Sequence, residues 1–282
     1  MKLLFMRSKW DLPDLSLKAF LSRVKESGFD GSDIYVPDFP FDPIETQDLH
    51  EELGLRLVCL IATEGATPRE HIASLDTMFQ RAARFKPFRL NSHTGKDWFS
   101  AEDNIRIFRR SLELSAAYGI PISHETHRGR ALFSAPASAE ILTALPDLRI
   151  TADFSHWCCV HESLLQDQSE SLRLAIERTD YIHARVGHAE APQVSDPRAP
   201  EWKAELERHL DWWERIIRHH RRKGTGELAI CPEFGPPPYM PLLPYTGQPV
   251  ADVWEVNLFM KDLIKQRFAG NDIATAGKAQ DS

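Results

Sequence analysis

Eight short apolar runs, each followed by a charge-rich stretch of helical period, recur along the whole chain. The runs are KLLFMR (2–7), FDGSDIYV (29–36), LRLVCLIAT (55–63), FRLNSHT (88–94), IPISHETH (120–127), LRITADFSHW (148–157), YIHARVG (181–187) and LAICPEFG (228–235). Between them lie amphipathic segments such as 15–27, 68–85, 101–118, 202–222 and 253–268, with apolar residues at helical spacing. Gly28, Gly54, Gly119 and Gly224 fall just past helix ends, where a left-handed cap is expected. Alternating strands and helices require a parallel sheet with helices packed outside it. Eight such units in 282 residues match an α/β fold of one closed (β/α)8 TIM barrel, which takes about 250 residues. A doubly wound sheet would open with a glycine-rich turn, whereas MRSKWDLPD follows the first run. No interior linker or low-complexity stretch divides the chain. The expectation is one barrel over residues 1–270 and a disordered tail at 271–282.

In such a barrel the site lies where strands end and loops begin. Ligand-type residues should therefore gather at the ends of the runs, and they do. Run four ends in NSHT with His93, run five in SHETH with His124, Glu125 and His127, and run six in ADFSHW with Asp153 and His156. Run seven carries His183, Arg185 and His188, and run eight carries Glu233. The starts of the same runs are plain. Side chains alternate along a strand, so His183 and Arg185 share a face opposite Ile182, Ala184 and Val186, and should look into the barrel. Glu125 and His127 share one face of run five, with His124 and Thr126 on the other.

Two glutamates, an aspartate and a histidine converging from four strands suit one hard or borderline divalent ion, Mn²⁺, Mg²⁺, Co²⁺ or Zn²⁺. Without a cation, three carboxylates in a barrel mouth would repel and raise each other's pKa.

Composition narrows the classes. With 34 basic against 41 acidic residues the net charge is −7, which argues against a nucleic-acid partner that needs a basic face. The basic run RHHRRKG (218–224) reads as a helix end, where cations suit the dipole. Cys59, Cys158, Cys159 and Cys231 include no CxxC and read as buried free thiols, with Cys158 and Cys159 pointing opposite ways on a strand. The opening MKLLFMRSKW has too short an apolar run for a signal peptide, and nothing downstream approaches the roughly 20 apolar residues of a membrane span. A cytoplasmic protein with no membrane partner is expected. No phosphate loop is present, since KGTGE (223–227) precedes run eight on the wrong face. A homo-oligomer is left open.

The order Glu, Asp, His, Glu on runs five to eight resembles the xylose isomerase-like TIM barrels. More closely it is similar to the sugar isomerase/epimerase branch with the ketose 3-epimerases, hydroxypyruvate isomerase and inosose dehydratase. DFSHW (153–157), IHARVG and PEFGPPPY (232–239) carry the likeness. It implies that Glu125, Asp153, His183 and Glu233 hold the metal, that Glu125 and Glu233 form the catalytic acid/base pair, and that His156 contacts substrate oxygen. Arg185, His188, His127 and His93 are expected to bind substrate. The implied activity is metal-dependent isomerisation or epimerisation of a small carbohydrate-like keto-sugar through an enediolate. A lyase or dehydratase acting on a keto-sugar or keto-cyclitol would use the same site. An apurinic endonuclease of the endonuclease IV type shares this barrel and residue order, but it needs a His at the third strand, where this chain has LIATEG. A non-catalytic barrel that kept its metal site is the remaining alternative.

Overall fold

The structure is a computed structural model that describes residues 1–269; the tail expected at 271–282 lies outside the described residues. Strands β1 (Lys2–Ser8), β2 (Gly31–Tyr35), β3 (Arg56–Ala62), β4 (Arg89–His93), β5 (Ile122–Glu125), β6 (Ile150–Ala152), β7 (Thr179–Ala184) and β8 (Glu227–Pro232) follow the eight runs. Each pairs in parallel with the next, and β8 pairs with β1. The result is a closed (β/α)8 barrel.

Helices α1 (Leu17–Glu26), α2 (Pro43–Leu53), α3 (Pro68–Ala83), α4 (Ala101–Tyr118), α5 (Ala135–Ala144), α6 (Phe154–Val160), α7 (Ser169–Arg178), α8 (Lys203–Arg222) and α9 (Val253–Ala269) connect them. Their ends are set by local chemistry. Thr67 and Glu70 form a reciprocal capping box on α3, satisfying backbone donors that the first turn leaves unpaired. Gly54 and Gly119 cap α2 and α4 at φ 62° and 65°, a conformation that costs little without a Cβ. No helix among the described residues is long and apolar enough to cross a membrane.

Alternation divides each strand between two environments. Leu90, Ile122, Ile150, Ile182 and Ile230 belong to the shell packed under the helices. Leu4, Met6, Val58, Tyr181, Ala229 and Cys231 form a separate apolar cluster inside the barrel. Above that cluster, toward the strand ends, the interior turns polar, with Asp33, Asn91, Glu125 and His183 all buried. The polar layer thus lies above the apolar cluster, at the carboxyl ends of the strands.

The sequence overextends several strands, and run six most of all. β6 ends at Ala152, and DFSHW does not continue it. The Asp153 side chain accepts the Ser155 N–H and caps α6, turning the chain into a helix. Cys158 and Cys159 therefore lie on a helix, not on a strand.

Gly31 marks the tightest backbone approach within a strand. A Cβ there would lie 2.2 Å from the Arg56 carbonyl oxygen and 2.4 Å from Met6 Cε. Gly31→Ala should therefore destabilise the barrel by roughly 1–3 kcal/mol, read from urea unfolding; an unchanged midpoint would contradict this account of β2.

Candidate metal centre

Glu125 closes β5, Asp153 follows β6, His183 lies within β7 and Glu233 follows β8. One ligand-type atom from each lies within 4.8 Å of the others, and all four residues are buried. Nδ1 of His183 sits 2.8 Å from Glu233 Oε2 and 3.3 Å from Glu125 Oε2, yet this nitrogen has no hydrogen-bond partner. The atoms are close without being aimed along an N–H···O line. Buried polar atoms normally find a partner, and donors arranged around a common point instead are what a cation requires. The chemistry of the set, three carboxylates and one imidazole, also fits a divalent ion. The residues present can hold one.

The neighbours fix this arrangement. Asn91 on β4 donates through Nδ2 to Glu125 Oε2 at 2.8 Å and lies 3.3 Å from Nε2 of His183. Asp33 on β2 lies 3.6 Å from the same Nε2 and accepts the Tyr181 hydroxyl at 2.7 Å. Asp153 is held by the Ser155 N–H at 3.1 Å and by the Ser155 hydroxyl. It also pairs with the Arg185 guanidinium, which reaches Glu233 at 3.7 Å.

Charge is finely divided here. Burial alone would raise Glu125, but His93 and His183 hold it well below the usual carboxylate range. Burial pushes Asp153 up to about 6 against the pull of Arg185. Burial opposes protonation of His183, but Glu233 and Glu125 outweigh it and raise the imidazole well above its usual value. The interior thus demands positive charge at the point where the four side chains meet.

The other expected residues divide. Nε2 of His93 lies 3.0 Å from Glu125 Oε2, and the His127 ring packs between His93 and His156, at 4.5 and 3.9 Å. Arg185 is buried and donates through its NH2 group to Nε2 of His156 at 2.7 Å. Guanidinium has no lone pair to offer, so Nε2 accepts and the proton of a neutral His156 is on Nδ1. That Nδ1 is buried with no protein partner. His188 is not brought to the group. After Gly187, where a Cβ would meet Ser155 at 2.8 Å, His188 pairs with Ala191 and its ring lies 4.7 Å from Trp202. His124 faces the helices, between the hydroxyls of Thr94 (2.7 Å) and Ser111 (2.8 Å). Trp157 is fully buried with its N–H on the Leu132 carbonyl, and Trp98 is exposed.

Sequence reasoning missed Asp33, Asn91 and Tyr239. The first two are polar residues inside apolar runs, on the same strand parity as the interior residues, and parity could have found them. Tyr239 lies beyond the last strand, with Arg185 4.7 Å from its ring centre and Trp10 packed edge-on at 5.4 Å. A contact across that many elements has no local signal.

No protein-family model matches the chain, and no curated protein matches it. Solved structures do, and they share its fold. A xylose isomerase domain containing protein from Salmonella typhimurium is 17% identical, with a TM-score of 0.66 over 92% of this chain and 96% of its own. An L-ribulose 3-epimerase is 12% identical, with a TM-score of 0.66 over 100% of both chains. A probable 3-DHS dehydratase involved in petrobactin synthesis from Bacillus anthracis is 17% identical, with a TM-score of 0.61 over 93% and 98%. Endonuclease IV from Thermus thermophilus also matches, at 14% identity and a TM-score of 0.57 over 94% and 98%. The chain is thus a barrel of the xylose isomerase-like fold, a fold that carries several chemistries.

Two histidines outside the ligand group make stability depend on pH. Burial pushes His124 down to about 3 and His209, which holds the Gly187 N–H at 3.3 Å, down to about 4. The unfolded chain takes up protons below about pH 6.5 that the folded one refuses. Stability present at neutral pH should be lost as pH falls through that value toward 4, at about 1.4 kcal/mol per pH unit for each histidine. Urea unfolding at about pH 7.5 and about pH 5 checks this, with a shallower slope expected for His124→Asn; a pH-independent unfolding free energy would contradict it.

Proposed function

We propose that this protein is a divalent-metal-dependent isomerase or epimerase that moves a proton at a carbon beside the carbonyl of a keto-sugar or related polyhydroxy compound. The observation that carries the reading is the placement of Glu125 and Glu233. They come from non-adjacent strands, yet both reach the same nitrogen of His183, at 3.3 and 2.8 Å. Two carboxylates facing one point from different sides can remove a proton from one face of a carbon and return it to another. Asp153 and His183 complete a set for Mn²⁺, Mg²⁺, Co²⁺ or Zn²⁺. Such an ion, when bound, supplies Lewis-acid polarisation of a carbonyl.

The chain's own groups account for the rest. The Nδ1–H of His156 has no protein acceptor and is suited to a substrate oxygen. Arg185 fixes that tautomer and, as a buried cation beside Asp153 and Glu233, favours negative charge developing on the substrate. Tyr239 and Trp10 offer an aromatic wall of the kind that meets the apolar face of a sugar.

Elimination is the second reading. It needs the same proton removal and differs only in a leaving hydroxyl on the next carbon, to which the Nδ1–H of His156 would donate a hydrogen bond while the glutamate that took the carbon's proton returns it to the departing oxygen. Nuclease action is disfavoured by the net charge of −7, because phosphate backbones are bound mainly by cations.

The test is NMR in D₂O with keto-sugars and keto-cyclitols, on protein supplied with Mn²⁺. Wild type should place solvent deuterium at the exchanged carbon. Glu125→Gln and Glu233→Gln should each slow this by at least about 100-fold while keeping the circular dichroism of the wild type. Turnover with full retention of substrate hydrogen would reject proton transfer, and cleavage of abasic DNA at enzymic rates would reject the class. Separately, Asp153→Asn should weaken Mn²⁺ binding by more than about tenfold, read by equilibrium dialysis. Unchanged metal content would remove Asp153 from the ligand set.

A further inference from the structure

At the other end of the barrel, where the strands begin, a cavity of about 340 Å³ borders the apolar cluster through Leu4 and Ala229. Phe88 and Pro121 complete its apolar walls, and Arg89 and Lys223 stand on its border. Sites for small molecules begin at about 300 Å³ and combine apolar walls with a few placed polar groups. None of these residues belongs to the four-strand group, so the cavity is a separate feature of the fold.

Arg89 is the first residue of β4. It has the strand parity of Asn91 and His93, so its side chain turns inward at the foot of the strand. The residue is only 9% exposed, and its Cζ lies 6.0 and 5.7 Å from the ring centres of Phe88 and Tyr181. A guanidinium carries five N–H donors and keeps its charge. Here Nη1 donates to the Asp180 carbonyl oxygen, while Nε is buried with no partner. Nη2 makes no hydrogen bond among the described residues. A buried cation with unpaired donors is costly unless an anion meets it.

The carboxylates around the cavity are already engaged. Asp180 lies 3.8 Å from Arg149, Glu177 lies 2.9 Å from Arg173, and Glu227 lies 3.2 Å from Arg56. Neither Arg89 nor the exposed Lys223, just past α8, makes an ion pair among the described residues. His219 also borders the cavity, and its Nε2 is buried without a partner. The charge left over here is positive, beside apolar walls.

We propose that this cavity binds a small carboxylate with an apolar body, the carboxylate lying between Arg89 and Lys223 and the body against Leu4, Phe88, Pro121 and Ala229. A planar carboxylate matches the donor fork of a guanidinium, and burial of the body adds apolar area removed from water. This site is independent of the metal reading and lies at the opposite ends of the strands.

The experiment is calorimetric titration of metal-free full-length protein with 3-phenylpropanoate. One molecule per chain is expected, with a Kd at or below about 5 mM. The uncharged 3-phenylpropanamide, and acetate and glutarate, which lack the apolar body, should each bind at least about tenfold more weakly. Affinity should fall at least about tenfold in Arg89→Met and about threefold in Lys223→Gln. Lys223 is exposed, so its variant keeps the test open if Arg89→Met does not fold. Saturation with Mn²⁺ should leave the affinity unchanged. No binding by wild type at about 10 mM would overturn the site. Unchanged affinity in either folded variant would place the acid elsewhere, and loss of binding on adding Mn²⁺ would place it at the four-strand group. An amide that binds as well as the acid, or glutarate or acetate binding as well, would overturn the ligand class.

Discussion

Three carboxylates gathered inside a barrel are the constraint to which the rest of this structure answers. Glu125, Asp153 and Glu233 are all buried, and isolated ions are costly to remove from water. Two cationic groups keep them there. Arg185 pairs with Asp153 and reaches Glu233, while His183 stands between Glu125 and Glu233 and is raised toward its protonated form by them. Balance is incomplete, since three carboxylates face one guanidinium and one imidazole, and burial pushes Asp153 up to about 6. A site that holds negative charge in excess, with an imidazole nitrogen left unpaired at its centre, is preorganised for a cation.

The barrel makes this possible by separating stability from function. Apolar side chains fill the lower interior, and the larger shell under the helices supplies most of the burial that holds the chain folded. Strand ends are then free to carry polar groups that pack poorly. Glu125 and His183 stand in the closed hydrogen-bonded ladder itself, and Asp153 and Glu233 come one residue after β6 and β8, so each is held close to a strand end. The neighbours are equally well held. Asn91 and Asp33 stand on β4 and β2, and Tyr181 reaches Asp33 from β7. Ligands supported in this way lose little entropy when they close on an ion.

Much of this was legible in the sequence because two periodicities are simple. Runs alternating with helical segments gave the strand count, and the period of two along IHAR placed His183 and Arg185 on the interior face. What was not legible depends on contacts between elements. DFSHW read as strand because its apolar residues suit one, but the Asp153 carboxylate captures the Ser155 N–H and starts α6. His188 has the residue type of a ligand, yet the turn after Gly187 sends it to Trp202. The parity that set His124 on the face opposite Glu125 was legible, but its partners Thr94 and Ser111, which come from other elements, were not. Tyr239 reaches the site from beyond the last strand, and no spacing rule would have found it.

The central claim is that the four strand ends converge on a cation. Crystals of the protein grown with Mn²⁺, measured at a wavelength where manganese scatters anomalously, test it most directly. The account requires an anomalous peak bounded by Glu125, Asp153, His183 and Glu233, at about 2.0–2.3 Å from an atom of each. A map with no peak there, or with His183 turned away and hydrogen-bonded elsewhere, would contradict it.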